Sequence, residues 1–256
     1  MVIVAIHRVQ GPPDQRTRDL AAALDITPYE ARSRIMGSGD GPCVVASFAA
    51  AEPAAACASR LEQAGFAALV LDSAEAETDA ERFVVQQLHL EEHELQVINR
   101  AGEVMTLPYG DVVLLLRGVE SHSTTETKTT TKKKLDAGRA LLSGGLVMRK
   151  KVQIKTETTR QDRRPFCYVY AAGQRPLAVV QDRIDYACLG PDLQLSREAN
   201  FGWICAELRR RCGAAVWDDR LQTRAGQSQL LGPALSPERY LELGVALTRM
   251  AHSRRL

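Results

Sequence analysis

Apolar and polar positions change period several times along the chain, and each change marks an element. Residues 1–9 (MVIVAIHRV) are nearly all apolar over the length of a strand. Gly11-Pro12-Pro13 breaks that run, and Asp14 stands where a helix cap belongs. Leu20, Ala23 and Leu24 then mark the apolar side of a helix. Thr27-Pro28-Tyr29-Glu30 opens a second helix: Thr27 suits the N-cap, Pro28 the first helical position, and Glu30 the reach back to the cap. Ala31 and Ile35 lie on one of its faces, and the glycine-rich residues 37–41 end it. Cys43–Phe48 reads as a buried strand, residues 53–64 as a third helix stopped by Gly65, and residues 68–71 as a third strand. The order β-α-α-β-α-β predicts a small α/β sandwich over residues 1–75.

This stretch resembles two related families, the C-terminal domain of the bacterial ribosomal stalk protein and the adaptor that feeds substrates to the Clp protease. The resemblance is carried by the opening strand, by residues 22–32 (AALDITPYEAR), and by residues 57–65 (CASRLEQAG) leading into a strand. It covers less than a third of the chain. In the stalk domain, lysines on the second helix recruit partners; here Tyr29 stands in one such place and Arg32 keeps a positive charge. The adaptor carries acidic and amide groups after its first strand, where this chain has His7 and Arg8. The resemblance therefore implies a fold and a protein-binding habit.

Residues 72–79 (DSAEAETD) are small and acidic, and read as a linker. Beyond them the period shortens. Apolar pieces around residues 83–85, 88–90, 95–98, 104–107 and 112–116 are separated by turns such as residues 99–103 and 108–110. Residues 166–170 and Leu177–Val180 flank another hairpin turn, and residues 184–188 add a strand. A helix follows over residues 197–212, with Phe201, Ile204, Cys205, Leu208 and Cys212 as its stripe. Strands closed by one amphipathic helix predict a pleckstrin-homology-like layout for residues 80–215. Residues 216–256 are read as a linker and a C-terminal helix entered at Ser236-Pro237-Glu238, with Tyr240, Leu243, Leu247 and Met250 on one side. Arg249, Arg254 and Arg255 suit the negative end of its dipole. The fold class is α+β.

Charge alters this picture. The chain carries +2, yet residues 128–164 hold twelve Lys or Arg against three acids, leaving −7 elsewhere. Residues 121–134 (SHSTTETKTTTKKK) are low in complexity and predict a mobile, solvated loop within a basic insertion over 121–164. Lys132, Lys133, Lys134, Arg149, Lys150, Lys151 and Lys155 are candidate anion-binding residues, for a nucleic-acid backbone or lipid head groups. The threonines are candidate phosphorylation sites. The six cysteines form no C-x-x-C pair and read as buried free thiols. No apolar run reaches membrane-spanning length and no leader is apparent, which predicts a cytoplasmic protein.

Chemistry is sparse. His89-Leu90-Glu91-Glu92-His93 fits the H-x-x-E-H pattern of inverted zinc peptidases, which requires His89 and His93 on one helix face with Glu92 as base. The strand-like alternation of Leu88 and Leu90 points to a polar hairpin tip instead. Leu142-Ser143-Gly144-Gly145 lacks a nucleotide fingerprint, and Asp218-Asp219 sits in loop-like sequence. The leading expectation is a non-enzymatic, adaptor-like protein without a cofactor, offering Tyr29, Arg32 and Ile35 to a partner protein. The alternative is a module that binds anionic polymers or membrane head groups through the insertion. A zinc hydrolase built on His89, Glu92 and His93 is the third reading.

Overall fold

The computed structural model describes residues 1–7, 11–35, 41–135 and 149–253, with side chains described outside 122–161. Arg8, Val9, residues 36–40, Leu142-Ser143-Gly144-Gly145, Arg254 and Arg255 lie outside the described residues.

β1 (Val2–His7), α1 (Pro13–Leu24), α2 (Pro28–Ile35), β2 (Cys43–Phe48), α3 (Ala51–Gln63) and β3 (Ala67–Asp72) follow the expected order. The three strands form an antiparallel sheet, β2-β1-β3, with β1 central. All six residues of β1 are buried, and alternation divides them. Val2, Val4 and Ile6 join a core with Leu20, Ala31, Cys57 and Leu61 from the helices. Ile3 and Ala5 join a second core on the opposite face. Pro12, not Asp14, is the N-cap of α1; Pro13 takes the first helical position and Asp14 the first turn. At α2 the expected box is present: Thr27 N donates to Glu30 Oε2 at 2.9 Å and Glu30 N to Thr27 Oγ1 at 3.3 Å. Gly65 takes a left-handed φ of 85° after α3, as its place predicts.

Strands β4 (Phe83–Val84), β5 (Gln87–Leu90), β6 (Glu94–Ile98), β7 (Val104–Pro108), β8 (Val112–Leu135), β9 (Arg149–Ala171) and β10 (Leu177–Val180) come next. Then follow α4 (Arg197–Arg211), β11 (Val216–Leu221), α5 (Arg224–Leu231) and α6 (Pro237–Ser253). β5-β6-β7 is an antiparallel meander; the other strands form a mixed sheet ordered β11-β8-β9-β10-β4. The architecture is α+β.

By contacts the chain divides into two units, Met1–Glu120 with Arg164–Leu256, and Ser121–Arg163. Residues 1–75, 80–120, 164–215 and 216–256 all lie in the first, because alternation along β9 and β10 gives that unit shared cores. Phe166, Tyr168, Tyr170, Ala178 and Val180 meet Ile3, Ala5, Leu69 and Leu71 of the N-terminal sheet and Leu243, Val245 and Leu247 of α6. Cys167, Val169, Leu177 and Val179 meet the meander and the α4 stripe of Phe201, Ile204, Cys205 and Leu208. There is thus no gap in the core after residue 75. Gly118 is required by this packing: a Cβ there would lie 2.3 Å from the Phe166 ring.

Several expectations are corrected. Residues 121–134 are not a loop; β8 runs through them to Leu135. Their six threonines are β-branched residues that favour extended backbone, and a neighbouring strand supplies the ladder bonds that a core is not needed to supply. Residues 184–188 form no strand but enter a 3-10 segment at Tyr186–Asp192, started by Asp185 accepting from Ala187 N at 3.1 Å. β11 and α5 occupy the segment read as a linker. β11 pairs in parallel with β8, Val216 opposite Leu114 and Trp217 opposite Leu115.

The second unit contains the later part of β8 and the earlier part of β9, hydrogen-bonded neighbours in strand order. The 13 residues 136–148 join them. A link of that length spans at most about 47 Å. Gly118 of β8 lies against Phe166 of β9, equally far from the link along each strand, so only an antiparallel return lets the link reach. The end of β8 and the start of β9 therefore lie at the same end of the ribbon.

Candidate functional sites

The acidic stretch read as a linker is a strap tied into the first unit. Asp72 accepts from Ala74 N at 3.0 Å, and a Thr78–Glu81 capping box fixes a 3-10 turn. Arg82 follows it and is only 1% exposed. Its Nη2 donates to Glu242 Oε2 on α6 at 2.6 Å, its Nη1 to Asp79 Oδ1 at 3.1 Å, and the guanidinium lies 4.2 Å over the Tyr168 ring. Burial alone would lower its proton affinity; the bond to Glu242 and the neighbouring phenols more than offset it, so Arg82 is firmly charged. Arg175 staples the strap from outside, donating to the backbone oxygens of Ala80 (3.0 Å), Glu81 (3.0 Å) and Arg82 (2.9 Å).

Two cavities share residues of this strap. The first, about 810 Å³, is lined by Asp79 and Arg82 with Asn99, Arg100, Arg175 and Arg183. Arg183 lies 3.8 Å from Asp79 and Arg164 3.1 Å from Asp182, so Arg100 and Arg175 leave it a cationic excess. The second, about 720 Å³, has Glu75, Glu77 and Glu81 along one side, Val112, Val113 and Leu114 of β8 on another, and Arg249 and His252 at the end of α6. Glu77 is 8% exposed. Its Oε2 accepts from Tyr170 OH at 3.0 Å and from Arg249 at 3.5 Å, and lies 3.7 Å from Arg82. Burial and this carboxylate push the Tyr170 phenol well above its usual range, which keeps it a neutral donor.

His252, which lines the second cavity, belongs to a pair that the sequence did not advertise. Asp218, in the segment read as loop, is on β11 and 6% exposed. Its Oδ2 lies 3.0 Å from His252 Nε2, and Arg220 bonds both of its oxygens. Burial would raise the Asp218 pKa; the bonds from His252 and Arg220 together overcome this and hold the carboxyl well below the usual range.

The residues expected to meet a partner protein lie on α2. Tyr29 is 83% exposed, Arg32 is exposed, and Ile35 packs partly against the helix-side core. Tyr29 and Arg32 are thus open to solvent, while Ile35 serves the fold. Lys132, Lys133 and Lys134 fall at the end of β8, and Arg149, Lys150, Lys151 and Lys155 at the start of β9. Two clusters separated in sequence, grouped by the sequence reading as one candidate anion site, share one end of the ribbon. The histidine pattern is divided: His89 is on β5 opposite Gln96, while Glu92 and His93 occupy the exposed hairpin turn. The helix that the zinc chemistry requires is replaced by two strands, and the described residues contain no group of three or more ligands able to hold a metal ion. No helix among the described residues is long and apolar enough to cross a membrane.

Comparison with protein-family models, curated proteins and solved structures finds no match for the chain.

Proposed function

We propose that this chain is a cytoplasmic, non-enzymatic binding protein that docks on an anionic membrane surface through the end of its ribbon. The observation that supports this reading is the strand order, in which β8, ending in Lys132–Lys134, neighbours β9, which starts at Arg149–Lys151. The joining sequence contains Leu141, Leu142, Leu146, Val147 and Met148. Apolar residues flanked by cations suit a lipid interface, where hydrocarbon enters the acyl boundary and each Lys or Arg gains about 1 kcal/mol from anionic head groups. A nucleic-acid backbone would use the cations but leave those apolar residues unexplained. Six free cysteines support a reducing compartment.

The test is co-sedimentation of the intact chain with phosphatidylserine-containing vesicles, neutral vesicles and duplex DNA. Binding to the anionic vesicles alone is expected, weakening with salt. Replacing Lys132, Lys133 and Lys134 with Glu should weaken it at least ~100-fold, from about 1 kcal/mol per residue. Preference for DNA, or equal binding to neutral vesicles, would remove the reading.

A second reading rests on Tyr29: a fully presented aromatic beside Arg32, on a helix pinned by its capping box, has the composition of an interaction hot spot. The β-α-α-β-α-β order supports the stalk and Clp-adaptor resemblance for residues 1–75, and α4 packed on the strands supports a pleckstrin-homology-like layout for residues 80–215. Under this reading, Tyr29→Ala with Arg32→Glu abolishes capture of a protein partner without changing the unfolding midpoint. Undiminished capture would clear α2 of that role.

A further inference from the structure

We propose that the cavity between the strap and the end of α6 is a binding site for an organic amine, a cationic nitrogen carried on an apolar body. Its volume of about 720 Å³ lies within the usual range of small-molecule sites. Its walls are chemically divided. Val112, Val113, Leu114 and Val216 give an apolar surface, while Glu75, Glu77 and Glu81 give three carboxylates. Among the described residues Arg249 is the one Lys or Arg that lines it, so carboxylates outnumber that cation by two.

Glu77 supplies the specific recognition. It is nine-tenths buried, yet only one of its oxygens is occupied: Oε2 takes the bonds from Tyr170 and Arg249 and faces Arg82. Oε1 accepts no hydrogen bond from the described residues, and it is not among the sealed unpaired atoms of the core. That oxygen is therefore reached from the cavity that Glu77 lines. A carboxylate oxygen accepts and cannot donate, so its complement is an N–H or O–H donor, and a positive charge strengthens the bond. An ammonium group also answers the acidic excess, whereas a carboxylate or phosphate would meet it as a like charge. Arg82 does not line the cavity; it faces Oε2 of Glu77 and is shared with Asp79 and Glu242, which leaves Oε1 to a ligand. A metal ion is the wrong occupant, since no three ligands converge among the described residues. The apolar wall requires more than a bare ammonium, which selects an amine bearing a hydrocarbon or aromatic body.

The experiment is calorimetric titration of the full chain with tryptamine and with indole-3-acetate, which share a ring and differ in charge. Saturable binding of tryptamine and no binding of indole-3-acetate is expected. Glu77→Gln should weaken tryptamine binding at least tenfold. Because that variant also disturbs Arg82, two others isolate the site. Glu75→Gln, at an exposed position in the rim, should weaken binding two- to fivefold with the unfolding midpoint unchanged. Ala172→Trp, at an exposed lining position, should abolish binding by filling the mouth. No saturable tryptamine binding up to about 10 mM, equal binding of indole-3-acetate, or undiminished binding by folded Ala172→Trp protein would each overturn the proposal.

Discussion

The two cavities beside the strap are similar in volume and opposite in sign. One is lined by Arg100, Arg175 and Arg183; the other by Glu75, Glu77 and Glu81. Residues 73–82 serve both, sending Asp79 and Arg82 to the first and the three glutamates to the second. The difference shows how a short acidic segment does two tasks. Its charges are divided between an internal anchor, where Arg82 meets Glu77, Asp79 and Glu242, and an open wall. A surface linker of the same composition would do neither.

The largest break in this comparison comes from Arg82. Arg82→Met removes the cation and leaves the buried Glu77 carboxylate and the half-exposed Glu242 carboxylate without their shared partner. Removing one member of a buried ion pair costs about 3–5 kcal/mol, and urea unfolding should show a loss of that size. Because both cavities share the strap, tryptamine binding should fall with it. A loss below about 1 kcal/mol would mean that water relieves the stranded carboxylates and that the strap is not anchored through Arg82. Arg175→Ala should cost less, about 1–3 kcal/mol, since it strands three backbone oxygens that are closer to solvent. Its mark should be faster amide exchange in residues 78–82, with exchange in β9 and β10 unchanged.

What was legible in the sequence follows the same division between local and distant causes. The Thr27–Glu30 box, the Gly65 stop and the apolar run of β1 depend on neighbours a few residues away, and each stood where the pattern placed it. The strap did not, because the composition of residues 72–79 (DSAEAETD) speaks of solvent, while Glu77 is buried by Arg82 and by Tyr170, 93 residues later. β11 escaped for a similar reason. Asp218-Asp219 reads as loop, yet Asp218 is held by His252, 34 residues downstream. β8 was misread from the opposite side: a run of Thr and Lys without a core looked like a loop, although β-branching and a partner strand suffice for extended backbone. The wall of the second cavity joins residues from 75 to 253, so no window of sequence contains it.

Acid sharpens the contrast through His252, which lines the second cavity and bonds Asp218. The Asp218 pKa is depressed in the folded chain relative to its ordinary value of 3.8. A depressed carboxylate contributes stability that is fully present above the ordinary value and is lost as pH falls through the folded one. Stability should therefore fall below about pH 4, loosening the grip of β11 on the end of α6. Asp218→Asn should be less stable at pH 7 and show a shallower decline between about pH 5 and pH 2. Parallel declines would show that other carboxylates govern the acid limb.

The smallest effects test whether the two signs act independently. Arg100→Glu alters only the first cavity, and Glu75→Lys only the second. Both side chains are exposed and take part in none of the anchor bonds, so each change should move stability by no more than about 0.5 kcal/mol. Their effects on ligand binding should differ. Glu75→Lys places a cation at the acidic rim and should weaken tryptamine more than Glu75→Gln does. Arg100→Glu should leave tryptamine unchanged at physiological salt, where charges separated by more than about 8 Å are largely screened. If Arg100→Glu strengthens tryptamine binding as much as Glu75→Lys weakens it, the cavities share one electrostatic field. The strap would then set a gradient across a single site instead of dividing two.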